Sequence, residues 1–307
     1  MNEFYEKLDE LYRAGDLNAV EKFIQNAVND AVRGSIESAG LYNELAGFYR
    51  GVSRYAESED AFNQAVEIFK SLGMEGSPEY ATVILNLAGL FRLKGNAGMA
   101  LELFLKTKEM LEDAGERESY AYVSVINNIS LAYQDEGEHE QALQYAGKAL
   151  SLMRAGGSNE REIATSLNNL AAIYLSLADL EKAEEHITEA LEIYDAMSTP
   201  DGHHSAALAT KASVLLRRGD RLGALELFNK AIDLTRRFFG ENMEFAVCRR
   251  GISDIYELLG DLPSAIWQLS DAKRVMEKLL GTDHPSVVNV QKKLDLLSGR
   301  LRGAGSE

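Results

Sequence analysis

One spacing constrains this chain more than any other feature. A small residue recurs at Ser58, Ala100, Ala142, Ala183, Ala224 and Ala265, at steps of 42, 42, 41, 41 and 41 residues. Seven residues after each stands a second small residue: Ala65, Thr107, Ala149, Ala190, Ala231 and Ala272. Five residues before each stands a turn residue: Ser53, Gly95, Gly137, Ala178, Gly219 and Gly260. Nine residues before stands a large one: Tyr49, Phe91, Tyr133, Tyr174, Leu215 and Tyr256. A shorter step of 38 residues fits a further copy at the N-terminus, with Leu11, Gly15, Val20 and Ala27. A period of this length means a stack of one supersecondary unit.

The unit is helical. In "EIATSLNNLAAIYLSL" the apolar residues Ile163, Leu167, Leu170, Ile173, Tyr174 and Leu177 keep close to a 3.6-residue period. A glycine or alanine at the turn lets one helix stop and the next begin at once. The small residues let the two helices approach where they cross, and the large residue fills the space between them. Such a hairpin cannot bury its apolar face alone, so stacking completes the core. The spacing predicts hairpins at 2–32, 36–72, 77–114, 117–154, 159–196, 203–238 and 241–280. An amphipathic helix at 284–302 carries Val287, Val290, Leu294, Leu297 and Leu301 on one face and suits a C-terminal cap. The last residues, 303–307, are expected to be a disordered tail, with the whole of 1–302 forming one all-α solenoid.

The pattern Leu-small-x-x-Tyr, followed by Ala-x-x-x-aromatic or aliphatic and a second Ala, resembles the tetratricopeptide repeat signature. "NLAAIY…KAEEHITEA" (169–190) and "NLAGLF…MALELF" (86–104) carry it most clearly. The ordinary repeat has 34 residues. The longer period here is similar to the 42-residue variety of kinesin light chains and many bacterial proteins. "LGTDHPSV" (280–287) resembles the loop of that variety closely and "STPDGHHSA" (198–206) loosely. The resemblance covers nearly the whole chain. It implies a right-handed αα-superhelix of about seven hairpins, used for binding proteins or peptides. No heptad segment precedes the repeats, so a kinesin light chain itself is not implied.

Composition narrows the function classes. The net charge is −16, which disfavours general nucleic-acid binding. Residues 1–204 carry −19 and residues 205–307 carry +3, so the two parts should prefer different partners. The single cysteine, Cys248, excludes an internal disulfide and fits a reducing compartment. The charged N-terminus has no apolar signal segment, and no apolar run approaches the roughly 18 residues of a membrane span. The expectation is a soluble, cytoplasmic protein. His203, His204 and His284 fall in equivalent inter-repeat loops and need no metal to explain them, while His139 and His186 sit on second helices at different phases. There is no phosphate loop, G-x-S-x-G elbow or paired Cys and His in a catalytic context. Cys248 is expected to be a small packed hydrophobe, and Trp267 to pack between helices. The chain should therefore be non-enzymatic, with no cofactor and no metal.

The candidate binding residues lie on the first helix of each hairpin, expected to face a concave groove. Asn86, Asn128 and Asn169 occupy the position before the repeat's large aliphatic residue in three consecutive repeats. Asn43 lies nearby in the preceding one, and Asn127 and Asn168 double the residue in two of them. Asparagine is a mediocre helix former because its amide competes for backbone hydrogen bonds. A ladder of amides, each with donors and an acceptor, can hold the backbone of an extended peptide. Groove asparagines do this in related tetratricopeptide proteins. Equally, each amide can bond the adjacent hairpin; with the residue doubled, one serves the neighbour and the other the groove. Arg50 and Arg92 follow the large residue by one position, and Arg217 and Arg250 extend the basic candidates toward the C-terminus. Arg218, Arg221 and Arg249 stand beside them, with Asp220 and Asp254 as competing acidic neighbours. The Lys, Asn and Arg set of a carboxylate clamp is missing from any three adjacent repeats, so a chaperone-tail function is not expected. The reading is a scaffold or adaptor holding a protein or extended peptide. A peptide-responsive regulator and a self-assembling homo-oligomer are the alternatives.

Overall fold

The computed structural model describes residues 2–156, 160–197 and 202–304. Among them are fifteen α-helices and no strand. In chain order these are α1 (Asn2–Ala14), α2 (Leu17–Asp30), α3 (Ile36–Gly51), α4 (Tyr55–Ser71) and α5 (Pro78–Leu93). They continue with α6 (Ala97–Asp113), α7 (Tyr120–Asp135), α8 (His139–Ala155), α9 (Glu160–Ser176) and α10 (Leu180–Ala196). The last five are α11 (Gly202–Arg218), α12 (Arg221–Phe239), α13 (Met243–Leu258), α14 (Leu262–Leu280) and α15 (Pro285–Ala304). The chain divides into two compact units, Met1–Ile173 and Tyr174–Glu307. The first holds α1 to α8 and most of α9, and the second holds α10 to α15.

Each repeat position has a defined physical task. All seven turn residues within hairpins have positive φ: Gly15, Ser53, Gly95, Gly137, Ala178, Gly219 and Gly260. The residue after each of the last six closes the turn by donating its N–H to the carbonyl of the large residue. Asn96 reaches Phe91 at 2.9 Å, Glu138 reaches Tyr133 at 2.9 Å and Asp261 reaches Tyr256 at 2.9 Å. This six-to-one bond is the Schellman arrangement, and it satisfies a carbonyl that the helix end leaves unpaired. Aspartates cap four of the second helices, Asp16 at α2, Asp179 at α10, Asp220 at α12 and Asp261 at α14. Serines cap three of the first ones, Ser35, Ser77 and Ser119.

The small residues sit where the helices cross. Ser58, Ala100, Ala142, Ala183, Ala224 and Ala265 are all 0% exposed. The one hydroxyl among them, on Ser58, donates to the Ala46 carbonyl at 2.8 Å, so it is buried without being unsatisfied. In the first unit the core runs through Ile24, Phe48, Phe104 and Ile126. In the second it runs through Phe228, Phe245, Leu269 and Leu297. The cap helix α15 buries Val287, Val290, Leu294 and Leu297, while Leu301 of the expected face is 38% exposed. Gly303 and Ala304 belong to the end of α15 rather than to a tail, and 305–307 lie outside the described residues. Residues 198–201 of the segment compared with the family's inter-repeat loop also lie outside them, and His203 and His204 sit in the first turn of α11, not in a loop.

Ala178 is the exposed non-glycine of the turn set, at φ 60°. A left-handed conformation costs a residue with a Cβ roughly 1–2 kcal/mol, partly offset by the entropy a glycine loses on folding. Ala178→Gly should therefore raise stability by about 0.5–1 kcal/mol. The check is the thermal midpoint, which would stay put or fall if the turn were not strained.

Candidate functional site

Within the first unit α3 packs on α5 and α5 on α7, and within the second α11 packs on α13. Among the described residues, consecutive second helices of one unit do not pack on one another to that extent. First helices therefore line the inner side of each stack, and this side carries the asparagines.

The structure pairs the asparagines between repeats. Asn86 donates through Nδ2 to Asn43 Oδ1 at 3.0 Å, and Asn169 through Nδ2 to Asn127 Oδ1 at 3.2 Å. The donor position is that of Asn86, Asn128 and Asn169. The acceptor position lies one residue earlier in the preceding repeat, where Asn43, Leu85 and Asn127 stand. Leucine offers no acceptor, so Asn128 turns back and donates to the Ser124 carbonyl of its own helix at 2.9 Å. Asn168 holds the next acceptor position, and its Oδ1 is buried with no hydrogen-bond partner. The donor position that follows in sequence is Thr210, whose hydroxyl bonds the Ala206 carbonyl at 3.1 Å. Each doubled asparagine thus gives one residue to a single inter-repeat pair, Asn127 as acceptor and Asn169 as donor, while Asn128 bonds its own helix and Asn168 Oδ1 finds no partner.

Each dyad engages one of its two amide nitrogens and one of its two amide oxygens. Asn86 Oδ1 and Asn43 Nδ2 remain uncommitted among the described residues, as do Asn169 Oδ1 and Asn127 Nδ2, and none of these four atoms is both buried and unpaired. Each dyad therefore keeps one acceptor and one donor, the complement of one peptide unit.

The arginines of this unit stitch first helices together. Arg50 reaches across to α5 and donates from Nη1 to the Asn86 carbonyl at 3.1 Å. Gly89 leaves room for it, since a Cβ there would stand 3.0 Å from Arg50 Nη1. Burial, and next to it the charge of Arg92, hold the Arg50 guanidinium below its ordinary pKa. Arg92 pairs with Asp135 at 2.9 Å, and its Nε is buried without a hydrogen bond.

The arginines of the second unit do not act as one set. Arg217 and Arg250 are exposed and have no hydrogen bond or ion pair among the described residues. Arg218 donates to the Leu180 carbonyl at 3.1 Å. Arg249 is held inside the stack. Its guanidinium lies 5.0 Å from the Phe245 ring centre and 5.1 Å from that of Trp267, with Nη1 donating to Gln268 at 2.8 Å and Nε 3.2 Å from Asp271. Trp267 is 58% exposed, contrary to the packing expected of it, because one face covers Arg249 and the rest meets solvent. The acidic neighbours are engaged elsewhere: Asp220 caps α12 and Asp254 pairs with Lys293.

Two carboxylates escaped the sequence reading. Glu44 stands in the asparagine donor position of its repeat, and that register was the available signal. It accepts from the Tyr5 hydroxyl at 3.3 Å, and burial raises its pKa. Glu244, in the first turn of α13, accepts from Ser205 Oγ at 2.9 Å, and burial pushes its pKa up to about 7. Cys248 is buried, and burial raises its thiol pKa well above the usual range. His186 stacks on Tyr174 at 5.5 Å and His204 on Tyr194 at 5.3 Å. Among the described residues no three His, Cys, Asp or Glu side chains are placed to hold a metal ion, and no helix is long and apolar enough to cross a membrane.

Residues 37–113 and 122–196 match the model of the tetratricopeptide repeat family. No curated protein sequence matches the chain. Among solved structures, the chain is similar to the Rap conjugation gene regulator of plasmid pLS20 in complex with the Phr* peptide. The TM-score is 0.71 at 16% identity, covering 92% of this chain and 76% of that one. NprR in complex with its cognate peptide NprX gives a TM-score of 0.62 at 17% identity, over 96% of this chain and 82% of that one. BtubC (BKLC) from P. vanneervenii gives 0.52 at 23% identity, over 64% of this chain and 80% of that one. At these identities the likeness is one of fold. The matched segments, the small residues at the helix crossings and the chain of two-helix units carry one conclusion: the protein belongs to the tetratricopeptide repeat family.

Proposed function

We propose that the protein is a non-catalytic scaffold of the cytoplasm that holds an extended peptide segment along the first helices of its first unit. The observation that carries this reading is the pair of asparagine dyads, each with an uncommitted donor and acceptor on the inner side of the stack. An extended peptide has unpaired N–H and C=O groups along its length, and such amides bond them whatever the side chains. Positions held by inter-repeat hydrogen bonds lose little freedom on binding, which favours affinity. That two structural relatives are named as complexes with peptides supports the same reading.

The test starts from random decapeptides displayed against the full chain, followed by synthesis of an enriched sequence. The double variant Asn86→Ala/Asn169→Ala deletes both dyads. Each lost hydrogen bond is worth about 0.5–1.5 kcal/mol, so stability should fall modestly while peptide affinity drops about tenfold or more. Full affinity in this variant, or no enriched peptide at all, would overturn the proposal.

A further inference from the structure

At the N-terminal end of the first unit, residues of α1, α3, α4 and α5 enclose a cleft of about 500 Å³. Its apolar surface comes chiefly from Tyr5 and Ile36, while Phe69 and Val83, also in its wall, are 1% and 2% exposed. Three carboxylates line it as well, Glu37, Glu44 and Glu79, and no lysine or arginine does. None of the three has an ion pair among the described residues.

Glu37 and Glu79 have a local explanation, because they lie in the first turns of α3 and α5, where the helix dipole favours negative charge. Glu44 has none. It sits in the body of α3, partly buried, with the Tyr5 hydroxyl as its hydrogen-bond donor. Desolvating a carboxylate without a cation is unfavourable. An apolar occupant would shut Glu44 off further, whereas a cation would relieve it. Asn43, whose Nδ2 is uncommitted, lines the same cleft, so the site is continuous with the first asparagine dyad.

We propose that this cleft receives a basic side chain, arginine or lysine, from a peptide held along the first helices. The inference deepens the peptide-binding reading and rests on it. An aliphatic stem of three or four carbons would lie on Ile36 beside Tyr5, and the charged head would meet the carboxylates. Tyr5, 42% exposed, adds a ring edge or face for the cation. The volume lies within the range of small-ligand sites and holds a single long side chain comfortably. The charge of −19 over residues 1–204 attracts a basic segment in the same sense.

The experiment uses the full chain and a synthetic peptide from the displayed library. Enriched peptides should share one Arg or Lys at a fixed position. Replacing it with citrulline, or with acetyl-lysine, keeps the shape and removes the charge. Affinity for the wild type should then fall at least tenfold, and affinity for Glu44→Gln should change less than threefold. Glu44→Gln is close to isosteric and removes a desolvated charge, so folding is retained, as circular dichroism would verify. Glu37→Gln/Glu79→Gln should weaken the charged peptide and flatten its salt dependence. Enriched peptides without a basic residue, losing affinity in Asn86→Ala/Asn169→Ala, would overturn the cleft and leave the peptide reading standing. An equal citrulline loss on Glu44→Gln would also overturn it, since the cation would then be held elsewhere. A library that yields nothing would remove both.

Discussion

Gly251→Val is expected to destabilise the second unit by about 1–3 kcal/mol, the range of an overpacked core. Gly251 lies in the middle of α13, against Phe228 of α12. A Cβ at this position would stand 2.3 Å from Phe228 Cζ, 2.6 Å from Cε2 and 2.9 Å from Cε1. The ring is 2% exposed, and a close-packed interior leaves little room for it to move aside. The small gain in helix propensity over glycine does not offset that clash. In urea denaturation followed by the helical signal, the transition should begin at lower denaturant. Gly251→Val/Phe228→Leu opens space where the new methyls arrive, so the two changes should couple favourably, by about 0.5–3 kcal/mol for residues in direct contact. Strict additivity would mean that the glycine is not there for the ring. Because a repeat array transmits damage mainly to its neighbours, the first unit should unfold where it did before.

Glu244→Gln should stabilise the protein at neutral pH and have no effect in acid. The Glu244 carboxyl stays protonated to about pH 7 in the folded state because burial disfavours its charged form, while the Ser205 hydrogen bond pulls the other way. The ordinary value is 4.5. The folded state therefore holds the proton more tightly than the unfolded state. Stability from this group is fully present below about pH 4.5 and is lost as pH rises to about 7. The difference corresponds to at most about 3 kcal/mol, and part of the side chain remains in contact with water, so about 2 kcal/mol is expected after screening. Glutamine keeps the carbonyl acceptor for Ser205 and carries no charge. The thermal midpoints of the two proteins should coincide near pH 4 and separate by several degrees near pH 8, with the variant higher. A constant difference at all pH values would show that Glu244 does not titrate in this window.

Why part of the site was legible, and part not, can be followed in single residues. The asparagines could be found because they break the expectations of a helix at a fixed place in the repeat. Their pairing could not, because it depends on an offset of one residue between adjacent first helices. That offset makes Asn86 meet Asn43 and leaves Asn128 facing Leu85. Glu44 shares the register of Asn86, but its meaning comes from a cleft that residues far apart in sequence enclose. Trp267 looked like packing material on a second helix, and only the position of Arg249 shows why one ring face is covered and the rest exposed. Arg249 and Arg250 are adjacent in sequence, yet one is sandwiched between rings and the other is free among the described residues.

The repeat by itself determined the helices, the hairpin turns and the crossings, because these depend on local physics repeated at a fixed interval. A residue with positive φ ends each first helix wherever the period puts it, even where it is Ser53 or Ala178. A small residue is buried at each crossing because nothing larger fits between two helices in contact. Tertiary structure alone decided which polar atoms are spent and which are spare. Hydrogen bonds between repeats and the burial of a carboxylate depend on how neighbouring helices slide and lean, and residue spacing along one chain does not encode an offset of a few ångströms between two of them.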